Sequence, residues 1–126
     1  MSPRFLLVAL LLIVSPQVAK ADYVDVITNK MTGACTMEQY LAAVQEFRGV
    51  MTAQGYTYTV EILAPVTGPD LSNVFWVGRT KDLATFGAEY TKWLKALGNA
   101  ASPEAKVNAK LNKCTTTTVR SGALTQ

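Results

Sequence analysis

Residues 56–97 read YTYTVEILAPVTGPDLSNVFWVGRTKDLATFGAEYTKWLKAL and predict two β-strands followed by an α-helix. The first strand alternates apolar or aromatic side chains with polar ones, as a strand with one buried face does; the apolar set is Tyr56, Tyr58, Val60 and Ile62. Residues 73–79 form an apolar run that predicts a second strand, covered on both faces. Thr80 is placed to cap the helix, whose apolar residues recur at three- and four-residue steps: Leu83, Phe86, Tyr90, Trp93, Leu94 and Leu97.

The segments on either side of this unit complete a β-α-β-β-α-β order. Residues 22–29 are rich in β-branched and aromatic side chains and predict a first strand. Thr36 and Gln39 have the spacing of a capping box ahead of an amphipathic helix. A short helix is predicted to begin at Ser102, and residues 114–121 predict the last strand. This order is typical of the ferredoxin-like α+β fold, a four-stranded antiparallel sheet with its helices on one face.

The first residues have the pattern of a cleaved signal peptide. Arg4 precedes residues 5–14, which read FLLVALLLIV, and an A-x-A pattern closes the segment. Ten apolar residues are too few for a membrane span, which needs about 20. We therefore predict a signal peptide over 1–21 and a single exported domain over 22–126, periplasmic or extracellular and without a membrane anchor once the signal is removed.

The charge balance of the domain excludes one class of partner. The chain has twelve basic and nine acidic residues, and Arg4 and Lys20 leave with the signal peptide, so the exported domain has ten basic residues and a net charge of +1. A nearly neutral domain without a basic run has no electrostatic reason to bind nucleic acid.

The two cysteines, Cys35 and Cys114, predict one structural disulfide. Export places them in an oxidising compartment. In the predicted topology the last strand starts beside the end of the first strand, which brings these two distant positions together. Free, reactive thiols are the alternative, although neither stretch is strongly electropositive.

The chain contains no histidine. This removes histidine-based catalytic triads, histidine-ligated haem and the common zinc sites. Two isolated cysteines are a poor metal set, so we expect no metal and no cofactor. Any catalysis would depend on carboxylates, tyrosines, lysines or an external cofactor.

The neighbouring first and last strands also predict a charge pair. If Cys114 lies opposite Met31, antiparallel counting places Arg120 opposite Asp25. We expect this pair on the sheet face turned away from the helices, together with further residues of mixed polarity: Ile27, Thr59, Glu61, Thr116, Thr118 and either Phe75 or Trp76.

A mixed sheet face suits a lined cavity or an interface better than open water. In its element order and helix character the chain resembles the dimeric α/β-barrel superfamily of ferredoxin-like proteins. The stretch WVGRTKDLATFGAEYTKWLKAL, residues 76–97, resembles the corresponding segment of an uncharacterised exported branch. The resemblance implies a homodimer in which two open sheets meet face to face and enclose a pocket.

Three functions follow as hypotheses. The first is a homodimeric binding module for a small, partly apolar molecule, with candidate ligand-binding residues Asp25, Tyr58, Glu61, Trp76 and Arg120. The second is a cofactor-independent oxygenase or isomerase of the kind the resemblance implies, with Asn29 as a further positioning residue and Glu61 as an acid or base. The third is a protein-interaction domain of the cell envelope that uses the lysines of the later helices.

Overall fold

The computed structural model describes residues 21–126. The predicted signal peptide lies outside the described residues except for Ala21, and it stays a prediction. The chain forms seven elements in the order β1 (Tyr23–Met31), α1 (Met37–Ala53), β2 (Thr59–Leu63), β3 (Asn73–Thr80), α2 (Leu83–Leu97), α3 (Pro103–Cys114) and β4 (Thr115–Leu124).

The four strands form one antiparallel sheet in the order β2-β3-β1-β4. This is the strand order of the ferredoxin-like fold, so the predicted fold class is confirmed. The short helix α3 is an addition to the two long helices, at the place where the sequence predicts it.

Local sequence explains where the helices begin. Thr36 and Gln39 form the predicted capping box at the start of α1. The cap of α2 is Asp82, whose carboxylate accepts from the Thr85 backbone at 2.7 Å. The prediction that Thr80 caps this helix is wrong, because Thr80 ends β3 and its hydroxyl donates to the Asp82 carbonyl at 2.9 Å.

The helix-facing side of the sheet and helices α1 and α3 enclose the core. α1 contributes Tyr40, Ala43, Val44, Phe47 and Met51 to it, and α3 contributes Val107 and Leu111. The sheet contributes Val60, Val74 and Trp76. None of the residues of α2 is fully buried, so this helix covers the sheet less closely than α1 does.

The predicted disulfide is present. Cys35 follows β1 and Cys114 ends α3, and their Cα atoms are 5.0 Å apart, within the range that a disulfide spans. The Thr32 backbone donates to the Cys114 carbonyl at 2.9 Å, which ties the same two segments a second time. The turn before α1 is therefore fixed to the start of β4.

The pairing of β1 with β4 differs from the predicted register. Arg120 lies opposite Ile27, and Gly122 lies opposite Asp25. Thr118 is an extra residue between two paired positions, so the register shifts at this bulge. Asp25 and Arg120 are consequently diagonal rather than direct neighbours, yet they still lie on one face.

That face is the opposite of the predicted one. Asp25 and Arg120 lie on the helix-covered side, with Ile27 and Trp76, and Asp25 is only 1% exposed. The other side is more apolar than predicted, because register and alternation place the following half-buried or exposed residues on it: Val24, Val26, Leu63, Phe75, Val77 and Val119. Of the residues predicted for this side, Thr59, Glu61, Phe75 and Thr116 are there.

β3 is also less buried than the sequence predicts. Val74, Trp76, Gly78 and Thr80 are buried on the helix side, but the alternating residues between them are half-buried at most. The strand is central in the sheet and yet is covered on one face only. Among the described residues, no helix is long and apolar enough to cross a membrane.

Candidate functional site

A pocket of about 210 Å³ lies between the helix-facing side of the sheet and the three helices. The pocket exists because α2 crosses the sheet without packing closely on it, so that none of the α2 residues is fully buried. The pocket is lined from every layer: Ile27, Asn29, Tyr58, Trp76, Thr115, Thr117 and Arg120 from the strands and their ends, and Tyr40, Phe47, Met51, Tyr56, Phe86, Glu89, Tyr90, Trp93, Asn108, Leu111 and Asn112 from the helices and their ends.

Eight of the eighteen lining residues are aromatic. Phe47 is central to one group, with its ring centre 4.7 Å from that of Trp76 and 5.5 Å from that of Trp93, both edge to face. Phe86 is central to the other, with Tyr58 at 6.2 Å and Tyr90 stacked on it at 5.6 Å. Edge-to-face pairs add to the stabilisation that burial of the rings provides, so this wall has a defined shape.

A chain of hydrogen bonds orients part of that wall. The Trp76 indole N–H donates to the Tyr58 hydroxyl at 2.8 Å, and Tyr58 in turn donates to Asp25 Oδ2 at 3.0 Å. Arg120 donates to the same carboxylate from Nε at 3.0 Å and from Nη2 at 2.8 Å, and its Nη1 reaches the Tyr90 hydroxyl at 3.3 Å. A bidentate arginine compensates the buried carboxylate, which would be costly if left alone.

The surroundings of Tyr58 in this series of hydrogen bonds keep its hydroxyl protonated. Burial is the main cause that raises the pKa of the Tyr58 hydroxyl, and the charge of Asp25 raises it further. The hydrogen bonds that Arg120 donates to Asp25 also raise the pKa of Arg120. Tyr58 therefore remains a neutral donor to Asp25 throughout the physiological range.

Gly78 makes the position of Tyr58 possible. A Cβ atom on Gly78 would lie 1.7 Å from the Tyr58 hydroxyl oxygen, so Tyr58 crosses β3 directly above a residue without a side chain. β2 and β3 are neighbours, and the side chain needs this gap to reach Asp25 on β1.

Two carboxylates fasten α2 and α3 around the pocket. Glu89 of α2 accepts from the backbone N–H groups of Thr57 and Tyr58 at 2.6 and 2.9 Å. Glu104 of α3 is buried and accepts from the Tyr56 hydroxyl at 3.1 Å. Burial, together with Glu104, raises the pKa of Tyr56 to about 12.

The inner end of the pocket is polar but uncharged. The Asn29 side chain is buried and accepts from Thr117 at 2.8 Å. Tyr40 is 1% exposed, and its hydroxyl has no hydrogen-bond partner among the described residues. Burial raises the pKa of Tyr40 to about 12, while the nearby Asn29 amide acts to lower it.

The structure brings together four of the five residues predicted as ligand-binding. Tyr58, Trp76 and Arg120 line the pocket, and Asp25 holds two of them in place. Glu61 does not belong to this group, because it is exposed on the other face of the sheet.

Sequence reasoning missed Tyr40, Phe47, Trp93, Phe86 and Tyr90 as pocket residues. They fit the apolar stripes of α1 and α2, and a stripe does not reveal that the two helices leave a space between them. Within the described part of the chain, no group of three or more histidine, cysteine, aspartate or glutamate side chains is placed to hold a metal ion.

No protein-family model matches the chain, and no curated protein matches it in sequence. Among solved structures, it is similar to a dimeric protein of unknown function and ferredoxin-like fold from Bacteroides fragilis, with 12% identity and a TM-score of 0.46 over 83% of this chain and 95% of that chain. It is also similar to a mutant chlorite dismutase from Candidatus Nitrospira defluvii, with 11% identity and a TM-score of 0.44 over 83% of this chain and 40% of that chain. The predicted ferredoxin-like fold is confirmed by the element order and strand order of the chain itself.

Proposed function

We propose that this protein is an exported binding module that holds a small, partly apolar molecule in the pocket between its sheet and its helices. The observation that carries the proposal is the pocket itself, whose wall is aromatic and whose inner end is polar. Binding sites are typically concave and mostly apolar, with a few placed polar groups. In this proposal the ligand binds within one copy of the chain, not between two.

Binding is favoured over turnover because the carboxylates around the pocket are already engaged. Asp25 accepts from Arg120 and Tyr58. Glu89 accepts from the backbone just before β2, and Glu104 accepts from Tyr56. A general base must lie within hydrogen-bond reach of the substrate proton, and neither Asp25 nor Glu104 is among the residues that line the pocket. Glu61, the acid or base considered for an enzyme, faces away from the pocket.

The two tryptophans of the chain provide a direct test, since Trp76 and Trp93 both line the pocket. We expect naphthalene, added to ¹⁵N-labelled protein, to shift both indole N–H signals with one common dissociation constant. Asn108→Phe should block binding by filling the pocket. Ala109→Phe is the matched control, because its position on α3 is exposed.

Unshifted indole signals at saturating naphthalene would rule out this function. Equal binding by the Asn108→Phe variant would place the probe somewhere else on the protein and would also contradict the proposal.

We further propose that the protein is a homodimer formed through the open face of the sheet. Apolar side chains occupy the centre of that face, and Val26 lies opposite Val77 in the middle. Charges of both signs surround them: Glu61 lies beside Val77 on the edge strand β2, and Arg79 and Lys30 lie towards opposite ends of the sheet. A second copy, rotated by a twofold axis, offers the same apolar centre.

A further inference from the structure

The Tyr40 hydroxyl is an unsatisfied polar group at the inner end of the pocket. It is buried and makes no hydrogen bond to any described residue. A buried polar group left without a partner costs about 1–3 kcal/mol. A ligand atom that pairs with this hydroxyl would recover that cost, so Tyr40 selects for a polar atom at this point.

The environment of Tyr40 indicates which kind of polar atom it selects. With a pKa raised to about 12, the phenol keeps its proton. Asn29 Oδ1 accepts from Thr117 at 2.8 Å, so the N–H groups of this amide, and not its oxygen, are left to face a neighbouring hydroxyl. The proton of Tyr40 is thus the free half of the group, and it needs an acceptor.

The charges that line the pocket are already balanced by other groups of the protein. Arg120 is the cation among the lining residues, and its charge is balanced by the buried Asp25 carboxylate, to which Nε and Nη2 donate, while Nη1 donates to Tyr90. Both carboxylate oxygens of Glu89 accept from backbone N–H groups, those of Thr57 and Tyr58 just before β2. An ionic ligand would lose its hydration without finding a counter-charge, which is costly.

The size of the pocket limits the ligand further. A volume of about 210 Å³ exceeds the ~150 Å³ cavity that accommodates benzene. It is smaller than the ~300–1,000 Å³ of sites for drug-sized ligands. Flat rings match the edge-to-face wall around Phe47, Trp76 and Trp93.

We infer that the ligand is an uncharged aromatic molecule of one or two rings that carries a carbonyl oxygen, and that this oxygen accepts a hydrogen bond from Tyr40. This inference rests on the proposed binding function and adds the chemical class of the ligand to it.

Three bicyclic probes of nearly the same shape test the inference by isothermal titration calorimetry on the disulfide-bonded domain, residues 22–126. They are 2-acetylnaphthalene with the carbonyl, 2-ethylnaphthalene without it, and 2-naphthoate with a charge. We expect the ketone to bind about tenfold more tightly than the hydrocarbon, the value of one hydrogen bond to an otherwise unpaired group. The carboxylate should bind more weakly than both.

The variant Tyr40→Phe removes the hydroxyl alone and should reduce the preference for the ketone to about one, with hydrocarbon binding unchanged. Tyr23→Phe is the matched control, because Tyr23 is not among the residues that line the pocket; this variant should keep the tenfold preference. Thermal unfolding checks that Tyr40→Phe folds, and removal of an unpaired hydroxyl should not lower its stability.

The outcomes separate the two proposals. Equal affinity for the ketone and the hydrocarbon, or tightest binding of the carboxylate, would overturn the ligand class and leave the binding function standing. Failure of all three probes to bind would overturn both. A ketone preference that survives in Tyr40→Phe would show that another group takes the carbonyl, against the inference.

Discussion

At the scale of single residues, the site depends on one buried charge and on the residues that make room around it. Asp25 is 1% exposed and is held by Arg120 and Tyr58. The sequence predicts the Asp25–Arg120 pair correctly but places it on the wrong face. Charged side chains are mostly exposed, so a lone aspartate on a strand favours the solvent side. Arg120, which the bulge at Thr118 places on the same face, and Tyr58 supply the donors that make the buried position tolerable.

Gly78→Ala should be strongly destabilising. The new methyl group would overlap the Tyr58 hydroxyl, which cannot move without breaking its bonds to Asp25 and Trp76. Overpacking and lost hydrogen bonds together should cost about 3 kcal/mol in the free energy of unfolding. Urea denaturation measures this cost.

Gly87→Ala in α2 is the matched control, because nothing lies within 4 Å of its added Cβ. In a helix this change should be neutral or should stabilise by about 0.5–1 kcal/mol. If Gly78→Ala were as stable as Gly87→Ala, Tyr58 would have a second position, and its role in ordering the wall would be disproved.

The buried tyrosines predict a loss of stability in alkali. The pKa values of Tyr40 and Tyr56 are raised from the ordinary value of 10.0 to about 12. The folded state therefore holds protons that the unfolded state releases between pH 10 and 12. The stabilisation is complete below pH 10 and is lost as the pH rises towards 12.

Tyrosinate absorbance, recorded with circular dichroism, measures this effect on the five tyrosines of the chain. We expect some to ionise near pH 10 and the rest only as the protein unfolds. Tyr40→Phe should shrink the late phase. Ionisation of all five in one step near pH 10, with the fold intact, would contradict the burial described for them.

At the scale of the elements, α2 explains why the pocket could not be predicted. The apolar stripe of α2 predicts a helix that packs on the sheet, and the helix is present over Leu83–Leu97. Its distance from the sheet is set by partners that no local pattern reveals, such as Glu89 with the backbone of Thr57. Aromatic side chains reach across the remaining gap and leave a space, so the stripe indicates the helix and not the cavity.

The disulfide should act on two elements at once, since it fixes the turn before α1 to the end of α3. In the chain-entropy model, closing a loop between positions 79 residues apart contributes about 4 kcal/mol. The double variant Cys35→Ser, Cys114→Ser should lose this amount in urea denaturation. It should also weaken binding of 2-acetylnaphthalene, because Tyr40 lies one turn into α1.

Reduction of the wild-type protein provides the control, because it should reproduce the double variant and leave that variant itself unaffected. A double variant as stable as the wild type would show that the hydrogen bond from Thr32 to Cys114 is sufficient to join these segments.

At the scale of the whole molecule, the order of the elements was predictable and the use of the two sheet faces was not. Alternation separates Tyr58 and Val60 from Thr59 and Glu61, but it does not say how the faces of the other strands align with them. The polar residues Asp25 and Asn29 lie inside, while Val26 and Val77 lie outside. Because the faces are used in this way, the candidate site lies within one copy of the chain. The apolar open face is then the surface that the proposed dimer would use.

Val77→Glu should convert the proposed dimer to a monomer, because it places two charges at the centre of the face. Sedimentation equilibrium measures the mass, and binding of naphthalene should persist, since the pocket lies on the other side of the sheet. Thr59→Glu, at the rim of the same face, should leave the dimer intact. A wild-type protein that sediments as a monomer would refute the proposed dimer and leave the proposed binding function unaffected.

The pairing of β1 with β4 has a consequence for the connectivity of the chain. The Thr125 backbone donates to the Asp22 carbonyl at 3.0 Å, and the Asp22 backbone donates to the Thr125 hydroxyl at 2.9 Å. The described domain is therefore almost a closed ring, and a short linker could join positions 22 and 126. New ends could then be opened at Gly68, in the exposed connection between β2 and β3. Such a circular permutant would keep every strand neighbour and the whole wall of the pocket, with the polypeptide entering the fold at a different point.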